Sequence, residues 1–395
     1  MKLLFIQGGS RVRECNNGNY YVDGNFNNDI WKRYNSYCDE LMVILRKIDY
    51  KFNEKDIMNK YNLIDTNLMK LITVEDIYKP KKNFLNFKLK NKIKQTIKLA
   101  VMNSDKVVIR SIGNFYTNTA LKYCKKFKKD YLIEVTGFAF EGLWHHSIFG
   151  KFVAIPREIK LKRALKKAPY AVYVTDEALQ KRYPCSGKTL GCSDVELMKL
   201  DIEILKDRKN QINEIEDGKK FKLGTAAFLN VKWKGQQDVI RAIYELKQEG
   251  VEKYCYELIG AGDANFLKKL IKKYNLQDDV KILGVKTHEE VFRWLKNIDI
   301  YIQPSYQEGL CRSIIEAMSS ACPVIASDAG GNKELINKEM IFKKGNINEL
   351  KYILKIFDKN IAVKESEENF YKSKKYEKNL LNDKRNEFYL NFINK

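Results

Sequence analysis

Short, continuously apolar runs of about five residues recur along the chain, separated by stretches in which apolar positions return every three or four residues. In the first half the runs Lys2–Gln7, Leu41–Leu45, Lys106–Arg110, Tyr131–Val135 and Tyr170–Thr175 predict strands. Helices are predicted over Tyr116–Lys128 and over Asp176–Tyr183, the second stopped by Pro184. The second half repeats the scheme more regularly. Strands Phe221–Ala226, Tyr256–Ile259, Val280–Leu283, Asp299–Gln303 and Val324–Ser327 alternate with helices Gln236–Glu249, Phe266–Tyr274, Glu289–Lys296 and Ser313–Ser320. Strands this short and this apolar are buried on both faces, and the intervening helices supply the cover. The pattern predicts an α/β chain of two doubly wound, Rossmann-like domains, 1–204 and 221–365, joined by a polar linker at 205–220. The polar, aromatic-studded tail 366–395 is predicted to be a helix closing back toward the first domain.

Composition narrows the class. With 395 residues the chain is long enough for two cores, and 44% hydrophobic with 31% charged residues excludes disorder or coiled coil as the main state. No apolar run approaches the ~18 residues of a membrane span, and MKLLFIQGG reads as a first strand rather than a signal peptide. Eight cysteines without paired spacing point to a reducing compartment, so the expected location is the cytoplasm. The net charge of +22 is uneven: residues 1–200 hold 37 Lys and Arg against 20 Asp and Glu, residues 201–395 hold 35 against 30. Such an excess suits nucleic acid, an anionic membrane surface or a phosphorylated substrate. No recognisable nucleic-acid-binding motif occurs and the basic residues cluster on predicted helices, so nucleic acid is the least expected of the three. Lys81–Lys98 has seven Lys, no acid, and Leu85, Leu89, Ile93 and Ile97 at every fourth position; Lys151–Lys167 has five Lys, two Arg and only Glu158. Each segment reads either as a basic amphipathic helix lying on anionic lipid or as a core-packed helix with solvated lysines.

The strongest chemical signal is Glu308-Gly-Leu-Cys-Arg-Ser-Ile-Ile-Glu316, which follows a strand and precedes Val324-Ile-Ala-Ser-Asp-Ala-Gly-Gly. Gly309 lets backbone approach a ligand, and a helix beginning near Cys311 offers free N–H groups and a positive dipole end to an anion. Glu316, further along that helix, is placed to take a ribose hydroxyl pair; Glu308 sits at the carboxyl end of a strand, where open α/β sheets bind ligands. Leu258-Ile-Gly-Ala-Gly262 is a strand followed by Gly-x-Gly, without the third glycine of a dinucleotide fingerprint. Gly8 and Gly9 either face a ligand across a cleft or make a plain tight turn. Glu134, at the end of a strand, is either an acid–base group for an acceptor or a hydrogen-bonded structural carboxylate.

These stretches resemble the family 4 (group 1) nucleotide-sugar glycosyltransferases, which are retaining enzymes of the GT-B fold. Gly224–Ala242, Leu258–Gly262, Ile282–Val285 and Asp299–Leu335 follow the family pattern in order. Glu134-Val-Thr-Gly137, Glu141-Gly-Leu-Trp-His-His-Ser147 and Tyr173–Pro184 are similar to a subgroup that builds bacterial capsular or O-antigen polysaccharide. The resemblance implies two Rossmann-like domains facing across a cleft, with a nucleotide sugar, UDP-sugar favoured, on the second. It assigns Glu316 to the ribose, Glu308 to the donor sugar, and the amides of Gly309, Leu310, Cys311 and Arg312 to sugar and diphosphate. Lys234-Gly235 matches half of the family's basic pair; Leu229 or Lys232 stands in the region of the usual Arg, which leaves Arg312 or Lys232 for the second phosphate contact. Gly262 and the Gly284-Val285 pair are implied to line the nucleotide site, Gly8 and Gly9 to face it. Of the three histidines, His146 is implied as a catalytic-side group, with a buried structural histidine as the alternative; Glu134 joins it on the acceptor side. No Asp-x-Asp and no Cys/His cluster of zinc spacing occurs, so no metal and no cofactor is expected. The implied reaction moves a hexose or N-acetylhexosamine to a lipid-diphosphate-linked saccharide, at the inner face of the membrane. A nucleotide-sugar epimerase of the same shape, or a non-catalytic sugar-nucleotide-binding partner, is the alternative.

Overall fold

The computed structural model describes residues 1–24, 26–144, 148–216 and 218–395. Two separate sheets form, as the alternating runs predict. In the first, parallel strands lie in the order Lys70–Glu75, Glu40–Lys47, Lys2–Glu14, Lys106–Arg110, Asp130–Val135, Tyr170–Tyr173, Lys188–Gly191. Tyr20–Val22 and Asn62–Leu63 extend the far end of the first strand in antiparallel pairing. The second sheet is parallel throughout, in the order Val280–Gly284, Tyr254–Ile259, Phe221–Ala226, Ile300–Gln303, Val324–Ser327, Ile341–Phe342.

The period of two in each strand divides the cores. Leu3, Phe5 and Val43 face a core with Phe26, Trp31 and Tyr34, while Leu4, Ile6 and Ile44 face one with Ile93, Ile97 and Tyr116. The first of these is continuous with the core of the second domain, because Tyr389 and Phe392 of the C-terminal helix Lys378–Ile393 pack into it.

Four expectations change. The first strand does not end at Gly8-Gly9 but continues to Glu14, with its register against Glu40–Lys47 shifting between Ile6 and Arg11. The glycines form an irregularity inside a strand, where the Gln7 side chain accepts the Gly9 and Ser10 amides. The expected linker 205–220 is largely the helix Glu203–Asn213; buried Arg208 on it donates to the carbonyls of Ile298 and Leu295, both at 2.6 Å. The tail is two helices, Lys359–Ser373 and Lys378–Ile393, and the second crosses to the first domain, where Phe392 packs 5.1 Å from Tyr170. In the segment Lys81–Lys98 the four-residue stripe breaks: Leu85 belongs to a short turn of 3-10 helix, and the helix Phe87–Met102 turns Ile93 and Ile97 into the core.

Candidate active site

The carboxyl end of the strand Ile300–Gln303 delivers Gln303 and Ser305, both buried, and then Glu308. Glu308 accepts from Lys234 Nζ at 2.7 Å and from Gln303 Nε2 at 3.3 Å, with side chains of Lys234 and Glu308 only 15% and 11% exposed. Lys234 ends a 3-10 turn, Lys232–Lys234, and Gly235 after it has φ +79. A Cβ at Gly235 would lie 1.9 Å from the Pro304 carbonyl oxygen. Only glycine lets this turn press on the end of the neighbouring strand, and that pressing sets Lys234 over Glu308. Burial works against the Lys234 ammonium, but the Glu308 carboxylate outweighs it and raises its pKa.

Beyond Glu308 the helix Arg312–Ser319 begins at Cys311, whose thiol makes no capping hydrogen bond. Burial pushes that thiol up to about 12, so it is an inert spacer rather than a nucleophile. The first turn therefore keeps amides free for an anion, with exposed Arg312 beside them. Glu316 is partly buried one turn on. Burial raises its pKa against the pull of His288 and Arg312, and these charges act only at a distance.

Two glycine loops flank this edge. Gly260 donates to the Gly284 carbonyl at 2.8 Å, and a Cβ on Gly262, at φ +109, would lie 2.5 Å from Asn230 Oδ1. Val285 follows at 73% exposed, an apolar side chain left facing solvent beside the loops.

The two domains meet at Gly309. A Cβ there would fall 2.5 Å from the Thr136 carbonyl oxygen of the first domain, and Gly331 N donates to the Gly309 carbonyl at 2.8 Å. A second contact is made by Glu334, whose carboxylate accepts the backbone amides of Asp176, Glu177 and Ala178. Gln303 and Glu334 did not stand out in the sequence. Gln303 ends an apolar strand, which is an uncommon place for a fully buried amide and a usable signal; Glu334 carries none.

Across the cleft the first domain is different. Gly8 lies against the Asn114 side chain, where a Cβ would be 2.2 Å from Oδ1. Gly9 has its amide taken by Gln7 and its carbonyl by Arg46. Glu134 is 5% exposed and fully engaged: it accepts from the hydroxyls of Tyr34 and Tyr389 and pairs with Arg110 at 2.6 Å. Arg110 also pairs with Asp194. Burial alone would raise Asp194, but Arg110, Arg385 and Arg33 outweigh it and hold it down to about 2. His146 lies outside the described residues. The structure thus gathers Lys234, Glu308, Gly309, Leu310, Cys311, Arg312 and Glu316 on one edge, and sets Glu134 in the framework beneath the other.

Comparison with known proteins bears on the family and the fold. The family model described as "Glycosyl transferases group 1" matches residues 206–376. Protein CapJ of Staphylococcus aureus is 35% identical over 409 residues, covering 99% of this chain and 98% of CapJ. The amylovoran biosynthesis glycosyltransferase AmsK of Erwinia amylovora is 38% identical over 110 residues, 26% of this chain and 27% of AmsK. Among solved structures, Anabaena HepE in complex with UDP superposes with a TM-score of 0.63 at 18% identity, covering 98% of this chain and 99% of that one. HepE has also been solved with UDP-glucose, at a TM-score of 0.62, 18% identity and 98% coverage of both chains. The shared fold is GT-B, two Rossmann-like domains facing across a cleft.

Proposed function

The chain belongs to the group 1 glycosyl transferases and is a hexosyltransferase, and on that footing we propose that it moves a hexose or N-acetylhexosamine, with retention, from a UDP-sugar to a lipid-diphosphate-linked saccharide in bacterial surface-polysaccharide synthesis. One observation carries the donor side: the largely buried Lys234–Glu308 pair stands beside an uncapped helix start. A diphosphate entering here exchanges for Glu308 as the partner of Lys234 and takes the free amides at Cys311–Ser313, with Arg312 as second cation. Glu308 is then released toward the donor sugar, and Glu316 accepts the ribose hydroxyls. The acceptor oxygen bonds to the anomeric carbon as the bond to the diphosphate breaks. The acceptor proton passes to the departing phosphate oxygen, so positioning and charge suffice without a covalent nucleophile. The UDP and UDP-glucose in HepE support the choice of nucleotide, and the place of AmsK in amylovoran biosynthesis supports the polysaccharide.

No helix among the described residues is long and apolar enough to cross a membrane. We therefore place the acceptor-side domain on anionic lipid at the inner face of the membrane. Exposed Leu85 and Phe87, with Lys88, Lys90 and Lys94 beside them, are the contact; Lys92 contributes less, because Glu75 pairs with it at 2.6 Å. Each lysine near such a surface is worth about 1 kcal/mol, so sedimentation with phosphatidylglycerol vesicles should be strong at low salt and lost at high salt. Equal sedimentation of a variant with Lys88, Lys90 and Lys94 changed to Gln would reject this surface. The test of the donor reading is UDP release from a panel of sugar nucleotides in the presence of EDTA. Release from one UDP-sugar, stimulated by a saccharide acceptor, is expected; loss of release in EDTA that manganese restores would overturn the metal-free scheme.

A further inference from the structure

At the carboxyl edge of the N-terminal sheet one buried cation lacks a counter-ion. Arg157, on the helix Ile148–Lys166, is half-buried, and its Nε is enclosed without a hydrogen-bond partner. Burial lowers its pKa, and only the hydroxyls of Tyr78 and Tyr183 oppose that; no carboxylate among the described residues does. The adjacent acid, Glu158, is already committed to Arg182 at 2.6 Å and to the Tyr183 hydroxyl at 2.7 Å. A half-buried arginine without a carboxylate is unfavourable in the free protein, and such costs concentrate where a ligand supplies the missing charge.

The surroundings are built to hold it there. Gly113, at φ +118, is the only kind of residue that leaves room, since a Cβ would lie 2.5 Å from Arg157 Nε. Tyr78 anchors the other boundary by accepting the Phe115 amide at 3.0 Å, and Arg46 lies 5.5 Å over its ring. Arg46 is held by Asp76 at 3.0 Å. Outward from the sheet edge, Phe84 stacks on Tyr78 at 6.4 Å, and then come Leu85 and Phe87, 73% and 75% exposed. Chain segments thus run in a fixed order from the sheet edge at Gly113, through a tyrosine beside two arginines, to an exposed apolar surface.

That order is the order of parts in a lipid-diphosphate saccharide: sugar, diphosphate, hydrocarbon. We propose that Arg157, beside Tyr78, binds the diphosphate of the acceptor, and that Phe84, Leu85 and Phe87 take the first part of its lipid. The proposal rests on the glycosyl-transfer reading above. Its test is calorimetric titration of the full chain, with UDP saturating so that the donor site is filled, using farnesyl diphosphate, farnesol and inorganic pyrophosphate as probes. Farnesyl diphosphate should bind more tightly than either of the others. Arg157→Gln should weaken it roughly 10- to 100-fold, the scale of a charge-assisted hydrogen-bonded pair, and leave farnesol and UDP affinity unchanged. Arg157→Lys, which keeps the charge but loses the fork, should fall between. Equal farnesyl diphosphate affinity in wild type and both variants, or equal wild-type affinity for farnesol and farnesyl diphosphate, would overturn the site. Pyrophosphate binding as tightly as farnesyl diphosphate would remove the lipid from the proposal and leave a site for a soluble diphosphate. Absence of UDP binding would instead strike the glycosyl-transfer reading.

Discussion

Glu308 and Glu134 occupy matching places, each at or just past the carboxyl end of an inner strand of a parallel sheet, one per domain. Each is paired with a base, Lys234 at 2.7 Å and Arg110 at 2.6 Å. The difference lies in what else holds them. Glu134 has one oxygen shared by Tyr34 and Tyr389, drawn from the helix Asn28–Asn35 and from the C-terminal helix, and the other on Arg110. Every lone pair that faces the protein is spoken for, and the carboxylate ties three distant stretches of chain together. Glu308 has one oxygen on Lys234 and Gln303, at the mouth of the cleft. Lys234 and Arg110 are about equally exposed, at 15% and 16%, so the contrast lies in how many groups each carboxylate holds: two for Glu308 and three, from separate parts of the chain, for Glu134. Position on the sheet makes both residues eligible for chemistry; the extent of their hydrogen bonding is what distinguishes them, and on the proposed reading it leaves Glu308 the group available to a donor sugar.

The comparison breaks most visibly through stability. Glu134→Ala leaves Arg110 facing Asp194 alone and strips two buried tyrosine hydroxyls of their acceptor, a change of about 3–5 kcal/mol for one partner of a buried pair. Urea titration should show that loss, with UDP affinity unchanged wherever the variant is folded. A variant of full stability and no transfer would return Glu134 to the acid–base role that its strand-end position suggests. Glu308→Gln should do the opposite. Its melting temperature should fall less than that of Glu134→Ala, because the Gln oxygen still accepts from Lys234 Nζ although the ammonium loses its counter-charge, while transfer falls about 10²–10³-fold, the scale of one preorganised electrostatic partner. Unchanged turnover would place the chemistry elsewhere in the cleft.

Much of this was legible in the sequence, and unevenly so. The second domain has runs whose apolar period and caps match its strands and helices, as at Thr287, which closes a capping box with Glu290. Most of its candidate site is local: Glu308 to Glu316 is one loop and one helix, so spacing carries their geometry, while Lys234 comes from 74 residues earlier. The first domain hid more. Lys70–Glu75 carries polar ends on a half-exposed strand, and Lys188–Gly191 is an edge strand, so neither shows a buried run. Lys2–Glu14 outlasted its apolar run because the bulge at Gly8-Gly9 re-aims it into antiparallel pairing with Tyr20–Val22. Glu134 could not be resolved from sequence because its partner Tyr389 is 255 residues away. Long-range hydrogen bonding leaves no trace in a local pattern, and that is the physical reason Glu134 and Glu308 look alike in the sequence.

Glu316 gives the finest test of the same contrast, because its carboxylate makes no hydrogen bond among the described residues. Burial raises its pKa, and the His288 and Arg312 charges only partly offset this. A carboxyl whose folded pKa lies above its unfolded value favours the folded state at low pH, and that contribution is lost as pH rises through the folded value. At neutral pH the ionised Glu316 therefore works against the empty protein and, on the proposed reading in which it accepts the ribose hydroxyls, for the nucleotide. Glu316→Gln should leave the empty protein at neutral pH as stable as wild type or slightly more so, while weakening UDP. The loss should be roughly 1.5–3 kcal/mol, the range for a hydrogen bond to a charged group. The sign in pH follows. Wild-type UDP affinity should rise as pH increases through the raised Glu316 pKa, and the ratio of wild-type to variant affinity should rise with it. Taking that ratio cancels the titration of the UDP phosphate, which both proteins share. A ratio that stays flat with pH, or a variant less stable when empty, would mean that Glu316 is held by the framework as Glu134 is, and the distinction drawn between the two domains would fail at its most exposed point.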